Sequence, residues 1–479
     1  MPRVTRAVRY ETVFGRGRPM NMAHEYLAAL SQVDHAPLNA TTLHQAKRCL
    51  LDYVGATWAG ARMADDRIAA MLDRLGDHEQ SVPLLGSNRH AALLTAVLIN
   101  GIASHTAELD DGVISGIIHP GAPIFSALLP FAYLHTVSEM DFLRGAVVGY
   151  EAAVRLADAI QPSHKVRGYH ATATCGAVGV ALGILAMLRA DPEAYASALA
   201  AVLATAGGRL KVVEDGSELK PYNPAHAAVS GTMAATVGLA GYDGAQDSFS
   251  GPAGFFAQMT DHLSLPNLLG EREPALAIER VYMKPYAACR YCHPAIEAAL
   301  TIRRAHTPDL DAIRTVRVRT FELAVAHHDH TVVDGVASAK MGIPFGVAIS
   351  LVTGSAGIDT YSDQWIREPQ VKALMQRVQV VPDESYTALF PQQTPACVEL
   401  EMNDGSLLSE ECLEPKGDMN HPLSDEDLTA KVIALAGFSG LDDAAVQDLI
   451  RYVWAMPSGD IRALYDRLSA CIPKRKETM

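Results

Sequence analysis

The sequence predicts a mainly α-helical protein, with a large helical bundle domain and a smaller inserted α/β lid domain of the α+β type. Its 479 residues exceed the roughly 250–300 at which a single hydrophobic core stops growing, so two domains are expected. Apolar residues recur at helical spacing in the first half, alternate as in strands further on, and return to helical spacing after an acidic capping box at Ser424 and Asp427. We expect the helical domain at 1–270, the lid domain at 271–415, and C-terminal helices that rejoin the helical domain at 416–479.

The helices predicted in the first half are amphipathic or rich in small residues. From Leu43 to Thr57 apolar side chains lie one helical turn apart. Glycines such as Gly179 and Gly183 allow helix backbones to approach closely, which favours a compact bundle. The same reasoning predicts helices at His90–Leu109, Asp141–Ile160, Thr174–Arg189, Tyr195–Ala206 and Ala227–Ala240.

The lid region carries the pattern of a small sheet. Thr315–Thr320 alternates apolar and polar residues with the two-residue period of a half-buried strand. Val398–Met402 alternates in the same way, and Asp404-Gly405 supplies a tight turn before Leu407, which predicts a β-hairpin. The helices expected to cover one face of this sheet are Pro294–Ala305 and Pro344–Val352.

Composition and charge argue against several classes of protein. A net charge of −14 opposes binding to a polyphosphate backbone, so no nucleic-acid partner is expected. The most apolar stretch, Cys175–Leu188, is shorter than the roughly 20 residues that span a bilayer, so no membrane association is expected. Met1–Met20 lacks the apolar core of a secretory signal, and seven scattered cysteines fit a reducing compartment. We therefore expect a cytoplasmic protein.

Two sequence motifs suggest metal or cofactor chemistry. His327–His330 reads H-H-D-H, but consecutive side chains point in different directions, and we interpret the segment as a solvated loop rather than a metal site. Cys289–His293 matches C-x-x-C-H, the attachment signature of c-type haem, and contains the C-x-x-C of redox pairs. Because neither an export signal nor a thioredoxin-like strand precedes it, we interpret these cysteines as pocket-lining or packing residues. We expect no metal and no cofactor.

Six short polar motifs lie in or beside apolar segments rich in glycine and alanine. Buried ionisable groups are costly unless they are paired, so this placement indicates a shared pocket. The alternative, that each group only caps a helix or satisfies the core, stays open at every single position. The motifs are Glu108-Leu109-Asp110-Asp111, His119-Pro120, Tyr169-His170, Lys220-Pro221, Lys284-Pro285 and His293-Pro294.

These motifs fall within five blocks that resemble the MmgE/PrpD family in order and spacing. The family contains 2-methylcitrate dehydratases, cis-aconitate decarboxylases and iminodisuccinate epimerases. The resemblance implies a helical domain closed by the C-terminal helices, an α/β lid domain between them, a pocket between the two domains, and a homodimer. The blocks are 103–123, 169–179, 214–226, 284–294 and 415–418.

The resemblance assigns roles to individual residues. The positions that it makes catalytic are Asp110, Asp111, His119, His170, Lys220 and Lys284. The positions that it makes substrate-binding are Glu108, Lys220, Lys284, Cys289, His293 and Phe345. The chain departs from the pattern at Glu108, Gly112, Cys289 and Phe345, where Asp, Thr, His and Tyr are common in related enzymes. The polyanion-binding frame is kept, but the groups that choose the reaction match no single activity.

The reactions of this family pass through a carbanion- or enolate-like species beside a carboxylate. Lys220 and Lys284 can bind carboxylates as point charges, and His119 or His170 can move the proton, oriented by Asp110 or Asp111.

We expect a cofactor-independent lyase acting on a small di- or tricarboxylate, of the 2-methylcitrate dehydratase type. The alternatives are a cis-aconitate decarboxylase type and an iminodisuccinate epimerase type. A binding protein that has lost its chemistry is the alternative from another class, but the retained histidines and lysines argue against it.

Overall fold

The computed structural model describes residues 21–75, 82–214, 217–326 and 328–473. The interpretations of Met1–Met20 and of His327 concern residues outside these ranges. The interpretation of the His327–His330 segment as a solvated loop is wrong at His328, which is buried. The helices are α1 Met22–His35, α2 Ala40–Met63, α3 Asp65–Leu75, α4 Leu93–Thr106, α5 Gly121–Tyr133, α6 Glu139–Ile160, α7 Ser163–Val166, α8 Ala171–Met187, α9 Pro192–Thr205, α10 Lys211–Glu214, α11 Tyr222–Leu239, α12 Phe255–Met259, α13 Leu265–Leu268, α14 His293–His306, α15 Glu322–Val325, α16 Val336–Ala339, α17 Ile343–Thr353, α18 Asp363–Arg367, α19 Pro369–Met375, α20 Glu384–Leu389, α21 Asp425–Phe438, α22 Asp443–Ala455 and α23 Ile461–Ala470. The strands are β1 Val82–Pro83, β2 His90–Ala91, β3 Ile313–Thr320, β4 Val378–Pro382, β5 Ala396–Met402 and β6 Leu407–Cys412. The predicted fold class, mainly α with a smaller α/β part, is confirmed.

The helices predicted in the first half correspond to α2, α4, α6, α8, α9 and α11. The range His90–Leu109 was too long at both ends, because His90 and Ala91 form strand β2 and α4 ends at Thr106. Helix α5 was not predicted. Since every residue from Gly121 to Ala132 is buried, its sequence has no polar face to show the helical period.

Close packing of α6 on α8 depends on glycine, as expected. A Cβ atom added to Gly179 would lie 2.5 Å from the carbonyl oxygen of Gly149, and one added to Gly183 would lie 2.8 Å from that of Gly145. Either distance is too short for non-bonded contact, so alanine at these positions would push the two helices apart.

The sheet of the second part has four strands in the order β4-β3-β5-β6. Strands β3 and β4 are parallel, and the other two pairs are antiparallel. The predicted hairpin joins β5 to β6 through Gly405, whose φ of +85° places it in the left-handed region that favours glycine. Helix α14 contacts β5 and β6, and α17 contacts β4, so both predicted helices pack against this sheet.

Two hydrophobic cores divide the chain. The first contains side chains of most helices from α1 to α13 together with those of the C-terminal helices α21–α23. The second contains mainly side chains of 287–400, and Ala56, Ala59, Ala107, Leu109 and Leu435 join it from outside that range. The predicted capping box at Ser424 and Asp427 is present at the start of α21. We call 287–412 the lid part and the remainder the helical part. The domain boundaries at 270/271 and 415/416 stay predictions.

Within the described ranges, no helix combines the length and the apolar character needed to cross a bilayer. Helix α8, which contains most of the longest apolar stretch, has 17 residues and is buried throughout. The homodimer and the cytoplasmic location stay predictions.

Candidate active site

The acidic motif 108–111 directly follows helix α4. Glu108 has a φ of +56°, a left-handed conformation that is uncommon for a residue other than glycine. The turn directs the side chains of Glu108, Asp110 and Asp111 into the interior, where all three residues are buried. Unusual backbone conformations of this kind persist only where surrounding contacts hold them, and they are frequent at functional sites.

Both lysines that were predicted to face the substrate contact Glu108. Lys220 Nζ donates to Oε1 of Glu108, and Lys284 Nζ donates to Oε2 at 3.2 Å. Burial alone would raise the pKa of Glu108, but the two ammonium groups lower it well below its usual value, so the carboxylate is ionised. Lys284 has no exposed surface and also lies 3.7 Å from Oδ1 of Asp110. Of this pair, only Lys220 lines the two cavities described below.

Asp110 lies between two histidines. Its Oδ2 is 2.6 Å from Nδ1 of His105 and 3.5 Å from Nδ1 of His119. Burial would raise the pKa of Asp110, but its contacts with His105 and Lys284 lower it far below its usual value. The ionised Asp110 therefore orients His105, whose ring packs edge-on against that of His119 with 5.0 Å between the centroids.

His119 has a defined tautomer. Its Nδ1 lies 2.7 Å from the carbonyl oxygen of Asp111, which can only accept a hydrogen bond, so Nδ1 carries the proton. Within the described part of the chain, Nε2 has no hydrogen-bond partner and keeps its lone pair. Burial and the charge of Lys284 lower the pKa of His119 to about 3, so the ring is neutral. A neutral imidazole with a free lone pair is a candidate general base.

His170 has the opposite tautomer to that of His119. The amide nitrogen of Asn223 donates to the carbonyl oxygen of Arg209 and to Nδ1 of His170, both at 3.1 Å. The carbonyl oxygen of Arg209 can only accept a hydrogen bond, so the Asn223 atom that faces it must be the amide nitrogen. The same nitrogen donates to Nδ1 of His170, and Nε2 of His170 therefore carries the ring proton. Burial holds the pKa of His170 well below its usual value, so the ring is neutral as well. His170 is a hydrogen-bond donor where His119 is an acceptor.

Asp111 is held in a different environment from Asp110. Its Oδ2 accepts from the hydroxyl of Tyr150 at 2.6 Å, and its Oδ1 accepts from the backbone N–H of Gly121 at 3.1 Å. Burial, together with the nearby carboxylate of Asp52, raises the pKa of Asp111 to about 7. Asp111 contributes its carbonyl to His119, while its carboxyl group anchors the start of α5.

We expect the protein to lose stability between pH 5 and pH 8, and we expect the substitution Asp111→Asn to remove much of that loss. With a folded-state pKa of about 7, the folded carboxyl keeps a proton between about pH 4 and pH 7 that the unfolded chain has released. The free energy of unfolding therefore falls as pH rises, by up to about 1.4 kcal/mol per pH unit across that window. Urea unfolding of both proteins at the two pH values measures the effect. The same pH dependence in parent and variant would contradict it.

A cavity of about 100 Å³ opens between the helical part and the lid part. A wider cleft of about 880 Å³ shares Lys220 and Met341 with it. The side chains that the helical part contributes to the small cavity include His119, Lys165, His170 and Lys220, and those from the lid part include Cys289, Arg290 and His328. The histidines, a lysine and a thiol predicted from the sequence thus meet at one place.

Besides Lys284, two more predicted substrate-binding residues line neither cavity. His293 donates from Nε2 to the carbonyl oxygen of Ala288 at 3.1 Å and is fully buried. Phe345 packs against Tyr361, with 5.3 Å between the ring centroids, in the lid core. The structure gives both residues a packing environment.

Three side chains of the site were not singled out in the sequence. His105 and Arg290 lie inside the blocks that resemble the family, so the resemblance could have identified them as members of the site. Arg290 donates to the carboxylate of Asp418, which accounts for the last block of the resemblance. Lys165 lies in the short helix α7, outside every block, and no pattern marks it.

His105, Asp110 and His119 form a geometry suited to a metal ion, because one ligand atom from each lies within 4.8 Å of the others. We nevertheless expect purified protein to contain no stoichiometric zinc or iron, since Lys284 already places a positive charge 3.7 Å from Asp110. Elemental analysis measures the content, and exhaustive chelation should leave turnover unchanged. Loss of turnover in chelator with recovery on adding a metal would overturn this expectation.

The fold and the site together define a two-part, mainly helical protein with an acid–base cavity between its parts. The chain matches the MmgE/PrpD N-terminal domain over residues 26–266 and the MmgE/PrpD C-terminal domain over residues 286–456. It belongs to the MmgE/PrpD family, and the resemblance seen in the sequence is confirmed.

Curated relatives align with nearly the whole chain. A cis-aconitate decarboxylase-like protein, oryM of Aspergillus oryzae, is 24% identical over 477 residues, covering 94% of this chain and 97% of the relative. The cis-aconitate decarboxylase of Aspergillus terreus is 24% identical, covering 85% of this chain and 87% of the relative. The cis-aconitate decarboxylase of Mus musculus is 24% identical, covering 82% of each.

Proposed function

We propose that the chain is a lyase that acts on a small di- or tricarboxylate and needs neither a metal nor an organic cofactor. The observation that carries this proposal is His119, whose unprotonated Nε2 belongs to a neutral ring in the same cavity as Lys220. A base beside a fixed positive charge suits removal of a proton next to a carboxylate, because the charge stabilises the electron density that develops.

Two lysines of the helical part supply the binding charge. Lys220 lies against Glu108, so its charge is partly neutralised before substrate arrives. Lys165 also lines the cavity, and its Nζ donates to the hydroxyl of Tyr291 at 3.2 Å. Among the described residues Lys165 has no carboxylate partner. A substrate with two carboxylates can therefore bind to Lys220 with one group and to Lys165 with the other.

The proposed reaction begins with proton transfer to His119. Nε2 takes the proton from the carbon beside the bound carboxylate, and the C–H electron pair moves toward that carboxylate. The double bond then forms as the C–O bond of a neighbouring hydroxyl breaks. The hydroxyl receives the proton from His119 and leaves as water, which returns His119 to its neutral form. His170, with its Nε2–H, donates a hydrogen bond to the developing negative charge.

Dehydration is favoured by the complementary pair of histidines, one with a free lone pair and one with a free N–H. Decarboxylation is the second candidate, favoured by the likeness to the cis-aconitate decarboxylases of Aspergillus terreus and Mus musculus. In that reaction carbon dioxide leaves with its electron pair left on carbon, and a protonated group of the site supplies the proton. Cys289, where decarboxylases of the animal type have histidine, weighs against it.

Incubation with 2-methylcitrate, citrate, cis-aconitate and a 2-hydroxy dicarboxylate, followed by proton NMR, tests the proposal. We expect loss of one water with all carbons retained. Citrate or the 2-hydroxy dicarboxylate should give a new vinyl proton. With 2-methylcitrate, loss of the proton beside the methyl group should instead turn the methyl doublet into a singlet. Release of carbon dioxide would replace dehydration by the second candidate. Turnover of none of these compounds by folded protein would overturn the assignment as a polycarboxylate lyase.

A further inference from the structure

Cys289 reaches the small cavity from the lid part. It precedes the short 3₁₀ turn Arg290–Cys292, and its backbone N–H donates to the carbonyl oxygen of Lys340 at 2.8 Å, which fixes its position. Cys289 is partly exposed, whereas Cys292 in the same C-x-x-C motif is fully buried. Only the first thiol of the motif lines the cavity.

His328 lines the same cavity and has an unpaired nitrogen. Its Nδ1 lies 2.8 Å from the carbonyl oxygen of Ala326, so Nδ1 carries the proton and Nε2 keeps the lone pair. His328 is only 4% exposed, and its buried Nε2 has no hydrogen-bond partner in the described ranges. An unsatisfied buried acceptor costs about 1–3 kcal/mol, so a donor is expected there. The thiol of Cys289, which lines the same cavity, is a group that can supply it.

The arrangement has the three parts that activate a nucleophile: a thiol, an adjacent base, and a third group that orients the base. The third group is the carbonyl of Ala326. We propose that Cys289 and His328 form a nucleophilic thiolate–imidazole pair, which makes the cavity a covalent modification site for small anionic electrophiles such as α,β-unsaturated carboxylates.

The charges around Cys289 agree with a thiolate. Burial would raise the pKa of the thiol, but His328 and Lys220 lower it to about 6. By contrast, burial raises the pKa of Cys292 well above its usual value, and that of Cys412 to about 12. The titratable and charged groups that face Cys289 are Glu108, Lys220, Tyr282, Lys284, Cys292 and His328.

Positive charge also selects the electrophile. Lys165 and Lys220 from the helical part, and Arg290 from the lid part, line the cavity with Cys289. An electrophile that carries a carboxylate should therefore be held near Sγ, whereas a neutral reagent of the same size gains nothing from these charges.

The reaction balances without another reagent. His328 takes the thiol proton, and the thiolate sulfur forms a bond to the β-carbon of the unsaturated carboxylate. The π electron pair moves to the α-carbon, which then takes the proton back from His328. The product is a thioether that fills the cavity. This proposal does not depend on the proposed lyase activity, because its readout is a covalent adduct.

Alkylation with iodoacetate and with iodoacetamide tests the pair on the intact chain. The thiolate displaces iodide in each case, and only iodoacetate carries a negative charge. We expect peptide mass spectrometry to find the adduct on Cys289 and not on the partly exposed Cys412, with a rate midpoint near pH 6. Iodoacetate should react faster than iodoacetamide at pH 7, reversing the usual order for exposed thiols.

The variant His328→Asn retains a donor for the carbonyl of Ala326 and removes the base. Its rate midpoint should move to about 8 or higher, close to that of an ordinary cysteine. Cys289→Ser should abolish the adduct. The proposal is overturned if the parent protein has its midpoint near 8.5, if His328→Asn leaves the midpoint unchanged, or if iodoacetamide reacts faster. The parent measurements need no variant, so they decide the matter even if a substitution prevents folding.

Discussion

The substitution His119→Asn is expected to lower catalytic efficiency by roughly 10²–10⁴-fold, the usual contribution of a general base. The Asn side chain places an N–H where Nδ1 was, so the hydrogen bond to the carbonyl oxygen of Asp111 can be kept. Only the free Nε2 is removed. Steady-state kinetics on a polycarboxylate that the parent protein turns over measures the change.

His135→Asn is the matched control. His135 also places Nδ1 against a backbone carbonyl, that of Phe131 at 2.8 Å, but it lines neither cavity. It should keep near-parental efficiency. If both variants lose activity to the same degree, or if His119→Asn keeps it, then His119 is structural and proton transfer belongs to another group.

Lys220→Met is expected to lower catalytic efficiency at least about 30-fold. Removing one member of a buried charge contact costs roughly 2–5 kcal/mol, and about 1.4 kcal/mol corresponds to a tenfold change in rate. The loss has two sources, since Lys220 lines the cavity and also binds Glu108. It should persist at high salt, because salt screens exposed charges over about 8–10 Å but hardly reaches a buried contact.

Lys47→Met controls for the loss of a partly buried lysine elsewhere. Its Nζ donates to the carbonyl oxygens of Trp454 and Met456 at 2.9 and 3.0 Å, away from both cavities. Thermal melts should show both variants folded. Near-normal efficiency of Lys220→Met at either ionic strength would make Lys220 a structural residue.

Periodicity in the sequence predicted most of the fold. The amphipathic helices and the β5–β6 hairpin follow from spacing, because one face of each helix is polar and the turn needs glycine. Helix α8 has no polar face and was predicted from its long apolar stretch and its glycines. Helix α5, which is also buried on nearly all sides, was not predicted. The left-handed turn at Glu108, which ends α4, could not be read from residue types that also suit a helix.

The five sequence blocks that resemble the family predicted which residues belong to the site better than they predicted where the side chains point. His119, His170 and Lys220 meet as expected, but Lys284 points to Glu108 and Asp110 and has no exposed surface. We therefore interpret Lys284 as positioning these carboxylates. A motif gives residue types in order, whereas the direction of each side chain depends on packing between segments far apart in the chain.

Two residues of the site to which the sequence analysis gave no role also show that residue order does not predict side-chain direction. Lys165 and His328 lie more than a hundred residues apart and reach one cavity from different parts of the fold. Conversely, His293 lies in a matching block yet bonds to the carbonyl of Ala288 within its own turn. Sequence order alone distinguishes neither case.

The most direct test of the account is deuterium exchange in D₂O, measured by NMR on a polycarboxylate that the parent protein turns over. We predict that the parent protein introduces deuterium into recovered substrate at the carbon beside a carboxylate. His119→Asn should reduce that exchange to background while His135→Asn leaves it unchanged. Exchange at the parental rate in folded His119→Asn would contradict the assignment of His119 as the base that removes the proton.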